Sequence, residues 1–213
     1  MKATGLSNVF IIGKKLATKN LVPGYGENIV QIRGEEYRIW NPYTSKLAAM
    51  ILKGCSPPIQ KNYNVLYLGA ANGTTVSHVS DMLSEGTVFA VELSPRAMQD
   101  LIKVSRHRIN LVPILADAMH PNSYKNMVYQ VDLIYQDIAQ KEQAEIAMRN
   151  ARLFLKKHGF LILMIKSRNI DSTKKPEEVA TKEIAKLSTF RILELGNLRP
   201  FHSDHIVVVA QKI

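Results

Sequence analysis

The sequence predicts an α/β fold: an open, mostly parallel sheet with helices on both faces, preceded by a small β-rich segment. Three observations carry this. From Asn62 onward, short apolar runs alternate with stretches of helical period. Five of those runs end at Gly or a polar residue, namely Gly69, Glu92, Asp117, Asp137 and Lys166. After the last helical stretch, two strand-like runs follow with no helix between them, so they must be antiparallel neighbours. Five parallel strands closed by this C-terminal hairpin make seven.

Each element has its own reason. Residues 1–40 read as short strands and turns. Asn8 to Gly13 is apolar and β-branched, Gly24-Tyr25-Gly26 is turn material, and Ile29 to Arg33 and Glu36 to Trp40 alternate. A helix is predicted from Thr44 or Ser45 to a stop at Gly54. Ser56-Pro57-Pro58 then divides a β-rich domain, 1–55, from a larger domain, 56–213. In the larger part the predicted strands are Val65–Leu68, Val88–Val91, Leu111–Ala116, Val131–Tyr135 and Phe160–Ile165. Helices are predicted around Val76–Leu83, from Ser94-Pro95, across Lys141–Lys157 and near Glu177–Leu187. The tail gives strands at Arg191–Leu195 and Ile206–Ala210.

Composition narrows the function. The 213 residues carry 28 Lys and Arg against 18 Asp and Glu, a net charge of +10, which favours polyanionic partners. Residues 141–191 hold 12 of the basic and 6 of the acidic side chains, so the excess is local. No run approaches the ~20 apolar residues that span a bilayer. A soluble intracellular protein is expected, cytoplasmic and without membrane contact. Cys55 is the only cysteine, which excludes an intrachain disulfide and a cysteine-rich zinc site. No metal site is expected.

In an open α/β sheet, ligands bind beyond the carboxyl ends of the strands. The loop Gly69-Ala70-Ala71-Asn72-Gly73-Thr74-Thr75 lets backbone approach a ligand at a helix N-terminus, and it lacks the dinucleotide G-x-G-x-x-G spacing. Glu92 could accept hydrogen bonds from two ribose hydroxyls, and Asp117 from an adenine amino group. Each has a plainer reading: a tight turn, a helix N-terminal acid, a helix cap. Together, in order, they point to an adenosine ligand without pyrophosphate, which favours S-adenosylmethionine over NAD.

The strings Val65-Leu66-Tyr67-Leu68-Gly69-Ala70-Ala71-Asn72-Gly73-Thr74-Thr75, Val91-Glu92-Leu93-Ser94-Pro95, Leu115-Ala116-Asp117-Ala118, Tyr135-Gln136-Asp137-Ile138-Ala139-Gln140 and Trp40-Asn41-Pro42-Tyr43-Thr44-Ser45-Lys46 resemble the fibrillarin family. The resemblance spans essentially the whole chain. Lacking a Gly/Arg-rich N-terminal extension, the sequence is similar to the archaeal form. Asn72 stands where the family usually has Ser, and Lys166-Ser167-Arg168-Asn169 is looser than the family pattern.

The resemblance implies a Rossmann-like S-adenosylmethionine-dependent methyltransferase acting on RNA ribose 2′-hydroxyls. It implies a cofactor site of Gly69, Ala70, Thr74, Thr75, Glu92, Leu93, Asp117 and Ala118, with Asp137, Ile138, Ala139 and Gln140 at the methionine end. It implies as partners a C/D box guide RNA, target rRNA or tRNA, a Nop-domain scaffold protein and a kink-turn-binding protein. Related ribose methyltransferases use a Lys-Asp-Lys-Glu set. Lys46, Asp137 and Lys166 fit the first three positions, and His205 stands at the fourth.

A hydroxyl is a poor nucleophile, so the site must align it and take its proton. Lys166, beside Asp137 at the neighbouring strand end, is expected to accept the proton or stabilise the alkoxide, with Asp137 orienting it. Rival readings are a protein methyltransferase, a small-molecule O-methyltransferase and a structural ribonucleoprotein subunit with a vestigial cofactor fold.

Overall fold

A computed structural model describes residues 1–213. The N-terminal part holds five strands, β1 (Lys2–Ala3), β2 (Val9–Ile12), β3 (Lys15–Lys19), β4 (Ile29–Ile32) and β5 (Glu35–Trp40). They form one antiparallel sheet in the order β1-β2-β3-β5-β4. Helix α1 (Lys46–Leu52) follows, and Ser45 caps it by accepting a hydrogen bond from the Ala48 N–H at 3.3 Å. The central strand β3 was not among the runs singled out in the sequence. Lys15-Leu16-Ala17-Thr18-Lys19 has few strand formers, and its burial comes from neighbours on both edges.

The remainder is β6 (Val65–Leu68), α2 (Thr74–Met82), β7 (Val88–Glu92), α3 (Pro95–Ser105), β8 (Leu111–Leu115), β9 (Val131–Gln136), α4 (Gln143–Phe154), β10 (Leu155–Lys166), α5 (Ser167–Ile170), α6 (Pro176–Ala185), β11 (Phe190–Leu198) and β12 (His202–Lys212). The sheet order is β11-β12-β10-β9-β6-β7-β8. Pairings from β8 through β10 are parallel, and β12 runs antiparallel to both β10 and β11. This is the expected seven-stranded sheet with its C-terminal hairpin.

Two expectations, and the plainer reading of Asp117 as a helix cap, need correction. No α-helix joins β8 to β9; a loop with one 3-10 turn, Pro121–Tyr124, makes that crossover. Asp117 therefore caps no α-helix. The helix predicted across Lys141–Lys157 stops at Phe154, because β10 opens at Leu155 with extended backbone. The last strand opens at His202, so His205 lies inside it rather than at its start.

One core cluster joins the two sheets. Val9, Leu16 and Trp40 pack with Val65, Tyr67, Val79 and Met82, all almost fully buried. Beside it lies a charged cluster of equal depth. Asp81 accepts from Arg38 Nη1 at 2.7 Å, Arg108 Nη1 at 2.6 Å and the Thr18 hydroxyl at 2.8 Å. Two guanidiniums thus share one buried carboxylate that ties the N-terminal sheet to α2 and to the segment after α3.

Strand order reverses between β6 and β9. The crevice at that point is bounded by Gly69 after β6 and Asp137 after β9, and the Asp137 N–H donates to Leu68 O at 2.9 Å.

Candidate active site at the strand ends

Gly69 sits at φ +85°, a region that favours glycine. A Cβ there would lie 2.4 Å from Asp137 O and 3.2 Å from Ile138 Cγ1. Only glycine lets the loop and the Asp137 backbone come this close. Ala70 is buried, Ala71 takes φ +48°, and Gly73 at φ +93° leads into α2 without a side-chain cap. In the first turn of α2 the Thr74 N–H donates to Asn72 Oδ1 at 3.5 Å, and the next N–H groups are left free for a ligand. Asn72 Oδ1 accepts from the Thr74 hydroxyl at 3.0 Å, so this residue still organises the loop. The Thr75 hydroxyl donates to Ser45 Oγ at 3.1 Å. That bond ties the loop to the N-cap of α1.

Glu92 is half-buried at the end of β7. One carboxylate oxygen accepts from the Ala71 N–H and the other from the Ser94 N–H, each at 2.8 Å. Each oxygen keeps a lone pair for a further donor. Leu93 beside it is 55% exposed, as is Leu115, the register partner of Glu92 on β8. Asp117 Oδ1 accepts from the Met119 N–H at 2.9 Å, which folds the chain back after β8 and covers Ala118.

Asp137 and Lys46 form an ion pair, Nζ to Oδ2 at 2.7 Å, with about a fifth of each side chain exposed. Asp137 thus orients Lys46. The expectation that it would orient Lys166 is corrected: no acidic group lies within ion-pair distance of Lys166. The lysine from α1, 91 residues upstream, reaches the carboxylate first.

Lys166 and His205 are register partners across β10 and β12. Both His205 ring nitrogens are shielded and without a hydrogen-bond partner. Burial, followed by the charges of Lys46, His202 and Lys166, lowers the His205 pKa to about 4, so the ring is neutral at neutral pH. Ile138, Ala139 and Gln140 follow Asp137 in the loop, held by Asn169 Nδ2 donating to Ala139 O at 2.9 Å and Gln143 Nε2 donating to Gln140 O at 3.0 Å.

Two contributions were not legible in the sequence. Gln143 is fully buried; its Oε1 accepts from the Lys166 N–H at 2.9 Å and its carbonyl accepts from Gln136 Nε2 at 2.7 Å. It fixes the ends of β9 and β10 relative to each other. Tyr67 and Tyr135, with ring centres 4.5 Å apart, lie buried beneath Asp137. Burial pushes both phenols up, so they stay neutral. Gln143 lies outside the strings that carry the resemblance, and the two tyrosines lie within them but read there as ordinary strand residues.

A hollow of about 670 Å³ lies elsewhere. It separates the Tyr25–Asn28 turn from α2 and α3, and of the expected cofactor residues it touches only Thr74. The strand ends themselves form an open crevice.

The Fibrillarin family model matches residues 1–213. The fibrillarin-like rRNA/tRNA 2′-O-methyltransferase of Methanosarcina barkeri (strain Fusaro / DSM 804) is 54% identical over 215 residues, covering 97% of this chain and 95% of the relative. The fibrillarin of a crystallised fibrillarin/Nop5p complex superposes with a TM-score of 0.93 at 44% identity, over 100% of both chains. Aeropyrum pernix fibrillarin, solved with natively bound S-adenosyl-L-methionine, superposes with a TM-score of 0.86 at 46% identity, over 95% of this chain and 92% of that one. Matched along its whole length by the family model and by a relative with which it shares more than half its residues, the chain belongs to the fibrillarin family.

Proposed function

We propose that the protein transfers methyl groups from S-adenosylmethionine to ribose 2′-hydroxyls of rRNA and tRNA, as the catalytic subunit of a C/D box guide ribonucleoprotein. The observation that carries this is that the Lys46–Asp137 ion pair and the Lys166–His205 strand pair lie close together, since the charges of both lysines reach His205.

The residues present suit the cofactor. Glu92 is held by two backbone N–H groups and retains acceptor capacity on both oxygens, which matches a ribose diol. Leu93 and Leu115 offer apolar contact to an adenine ring, and Asp117 with Ala118 would meet its edge. Gly69, Ala70, Thr74 and Thr75 would hold the methionine end from the loop, with Asp137 through Gln140 opposite. When bound, the cofactor supplies an electrophilic methyl group on a sulfonium.

The chain's own residues supply alignment and proton handling. The attacking 2′-oxygen must lose its proton as the carbon–oxygen bond forms. Lys166 has no acidic partner, so its amine is free to face that oxygen as acceptor or to stabilise its developing negative charge. Lys46 adds a second nitrogen donor, fixed by Asp137. His205 is neutral and unpartnered, but its ring nitrogens are shielded and its lowered pKa makes it a weak base, so it lines the site beside Lys166 and leaves the proton to the lysine.

Residues 56–213 would then be the methyl-transfer domain and residues 1–55 a β-rich brace whose Lys46 completes the site. The Nop-domain scaffold, the kink-turn-binding protein and the guide RNA would bring the target, since sequence-blind basic contacts cannot choose a nucleotide. The protein reconstituted with these partners should methylate one guide-specified ribose 2′-oxygen, mapped by hydrolysis-resistant linkage and mass spectrometry. The chain alone should bind cofactor and modify free RNA poorly. Methyl groups found on bases or on protein in place of ribose would sink the reading.

A further inference from the structure

Tyr43 is the most exposed of the eight tyrosines, at 65%, and it stands three residues before Lys46. Its ring meets Phe201 edge to face with centres 5.1 Å apart. Phe201 is partly buried against the core that joins the two sheets, so the pair is anchored from below. The loops carrying the two rings are locked together. His202 Nε2 donates to Pro42 O at 2.9 Å, and the His202 ring lies 5.5 Å from His205. Burial lowers the His202 pKa, and the charges of Lys46 and Asp137 both reach it. The aromatic pair is therefore held in place between Lys46 on one side and His205 on the other.

An exposed ring in that position has a chemical use on the acceptor side. Every ribonucleotide carries a 2′-hydroxyl, so an enzyme that methylates it must grip RNA without reading base edges. Aromatic rings do this, because sugar and base faces pack on them whatever the base. Resting on the function proposed above, we propose that Tyr43, backed by Phe201, is a platform that packs on the acceptor RNA strand beside the reacting ribose and holds it without discriminating among bases.

The test uses the complex reconstituted with scaffold, kink-turn protein and guide RNA. Four guide–target pairs differ only at the target base. With saturating RNA, Tyr43→Leu should slow single-turnover methylation about 5- to 100-fold, by a similar factor on all four targets. Tyr43→Phe, which keeps the ring, should restore most of the rate. Cofactor affinity measured by calorimetry and assembly with the scaffold measured by gel filtration should not change. A photoreactive benzoylphenylalanine at position 43 should crosslink to the acceptor strand. An unchanged Tyr43→Leu rate, a defect confined to one base, lost assembly, or a crosslink to the scaffold protein would each overturn the proposal; the last two would make this face a protein-docking surface. If the unaltered complex puts no methyl on ribose, the functional reading fails, and the crosslink decides the platform separately.

Discussion

Replacing Gly69 with alanine should damage stability and catalysis together, and the geometry says by how much. The residue sits at φ +85°, where an L side chain costs about 1–2 kcal/mol. The added Cβ would lie 2.4 Å from Asp137 O and 3.0 Å from Asp137 C. Real Cβ contacts essentially never fall below 3.0 Å, so the loop and the β9 end must part by at least 0.6 Å. Backbone is met here rather than the tip of a flexible side chain, so relief by rotamer is not available. Overpacking of this kind adds about 1–3 kcal/mol. A loss of roughly 2–5 kcal/mol follows, which lowers Tm by about 4–20 °C in a chain this long. The same displacement shifts the backbone of Asp137, whose carboxylate holds Lys46 at 2.7 Å. Misplacement approaching 1 Å at a reacting centre can cost about 10² in rate. The assays are a thermal melt, calorimetry with S-adenosylmethionine and single-turnover methylation in the reconstituted complex. An alanine variant that melts within 2 °C of the parent and reacts at its rate would refute the argument that this glycine sets the crevice width.

Four further outcomes are expected. Lys166→Met keeps the apolar stem and should cut single-turnover methylation by about 10²–10⁴ with cofactor affinity little changed; a near-normal rate in quench-flow would show that Lys166 is not the group that handles the proton. Glu92→Ala should weaken S-adenosylmethionine binding roughly ten- to hundredfold, since charge-assisted hydrogen bonds are lost, and calorimetry showing equal affinity in a folded variant would remove the ribose assignment. Asp81→Asn leaves Arg38 and Arg108 buried without a counter-charge and should cost about 3–5 kcal/mol in urea unfolding; a change below about 1 kcal/mol would contradict the buried network. The His205 pKa is lowered from 6.5 to about 4, so the unfolded chain takes up a proton there before the native one does. That contribution to stability is intact above pH 6.5 and lost as pH falls toward 4, so Tm in this window should fall less steeply for His205→Gln than for the parent. Parallel curves would mean that the ring titrates normally.

The strand ends were legible because the physics there is local. Val65 to Leu68, Val88 to Val91 and Val131 to Tyr135 are apolar runs suited to a buried parallel strand; the first stops at a turn glycine and the other two at polar side chains that cannot be buried unpartnered. Gly69, Glu92, Asp117 and Asp137 could therefore be placed in order along the sheet edge. The partner of Asp137 could not. Lys46 arrives from a helix far upstream, and no spacing rule links the two. The β10 start was misjudged for a related reason. Leu155-Lys156-Lys157 continues the helical period of Ala151 and Phe154, and pairing with β9 overrides it. The basic stretch 141–191 is also less of a free surface than its composition suggests. Arg149, Lys156, Arg168, Lys174 and Lys186 are each taken by a nearby carboxylate.

The carboxylate shared by Arg38 and Arg108 bears on how the chain can be made. A ribosome releases Thr18 and Arg38 first, Asp81 some forty residues later, and Arg108 later still. The N-terminal sheet therefore emerges with a guanidinium that has no counter-charge until α2 has formed. Nascent strands β1 to β5 have reason to wait, loosely assembled, for the next part of the polypeptide. A graft that moved this sheet onto another methyltransferase would have to bring an acidic residue at position 81 and Ser77, which accepts from Arg38 Nη2 at 2.8 Å. Heredity faces the same constraint: the two halves can exchange pieces only if both sides of that charge cluster travel together.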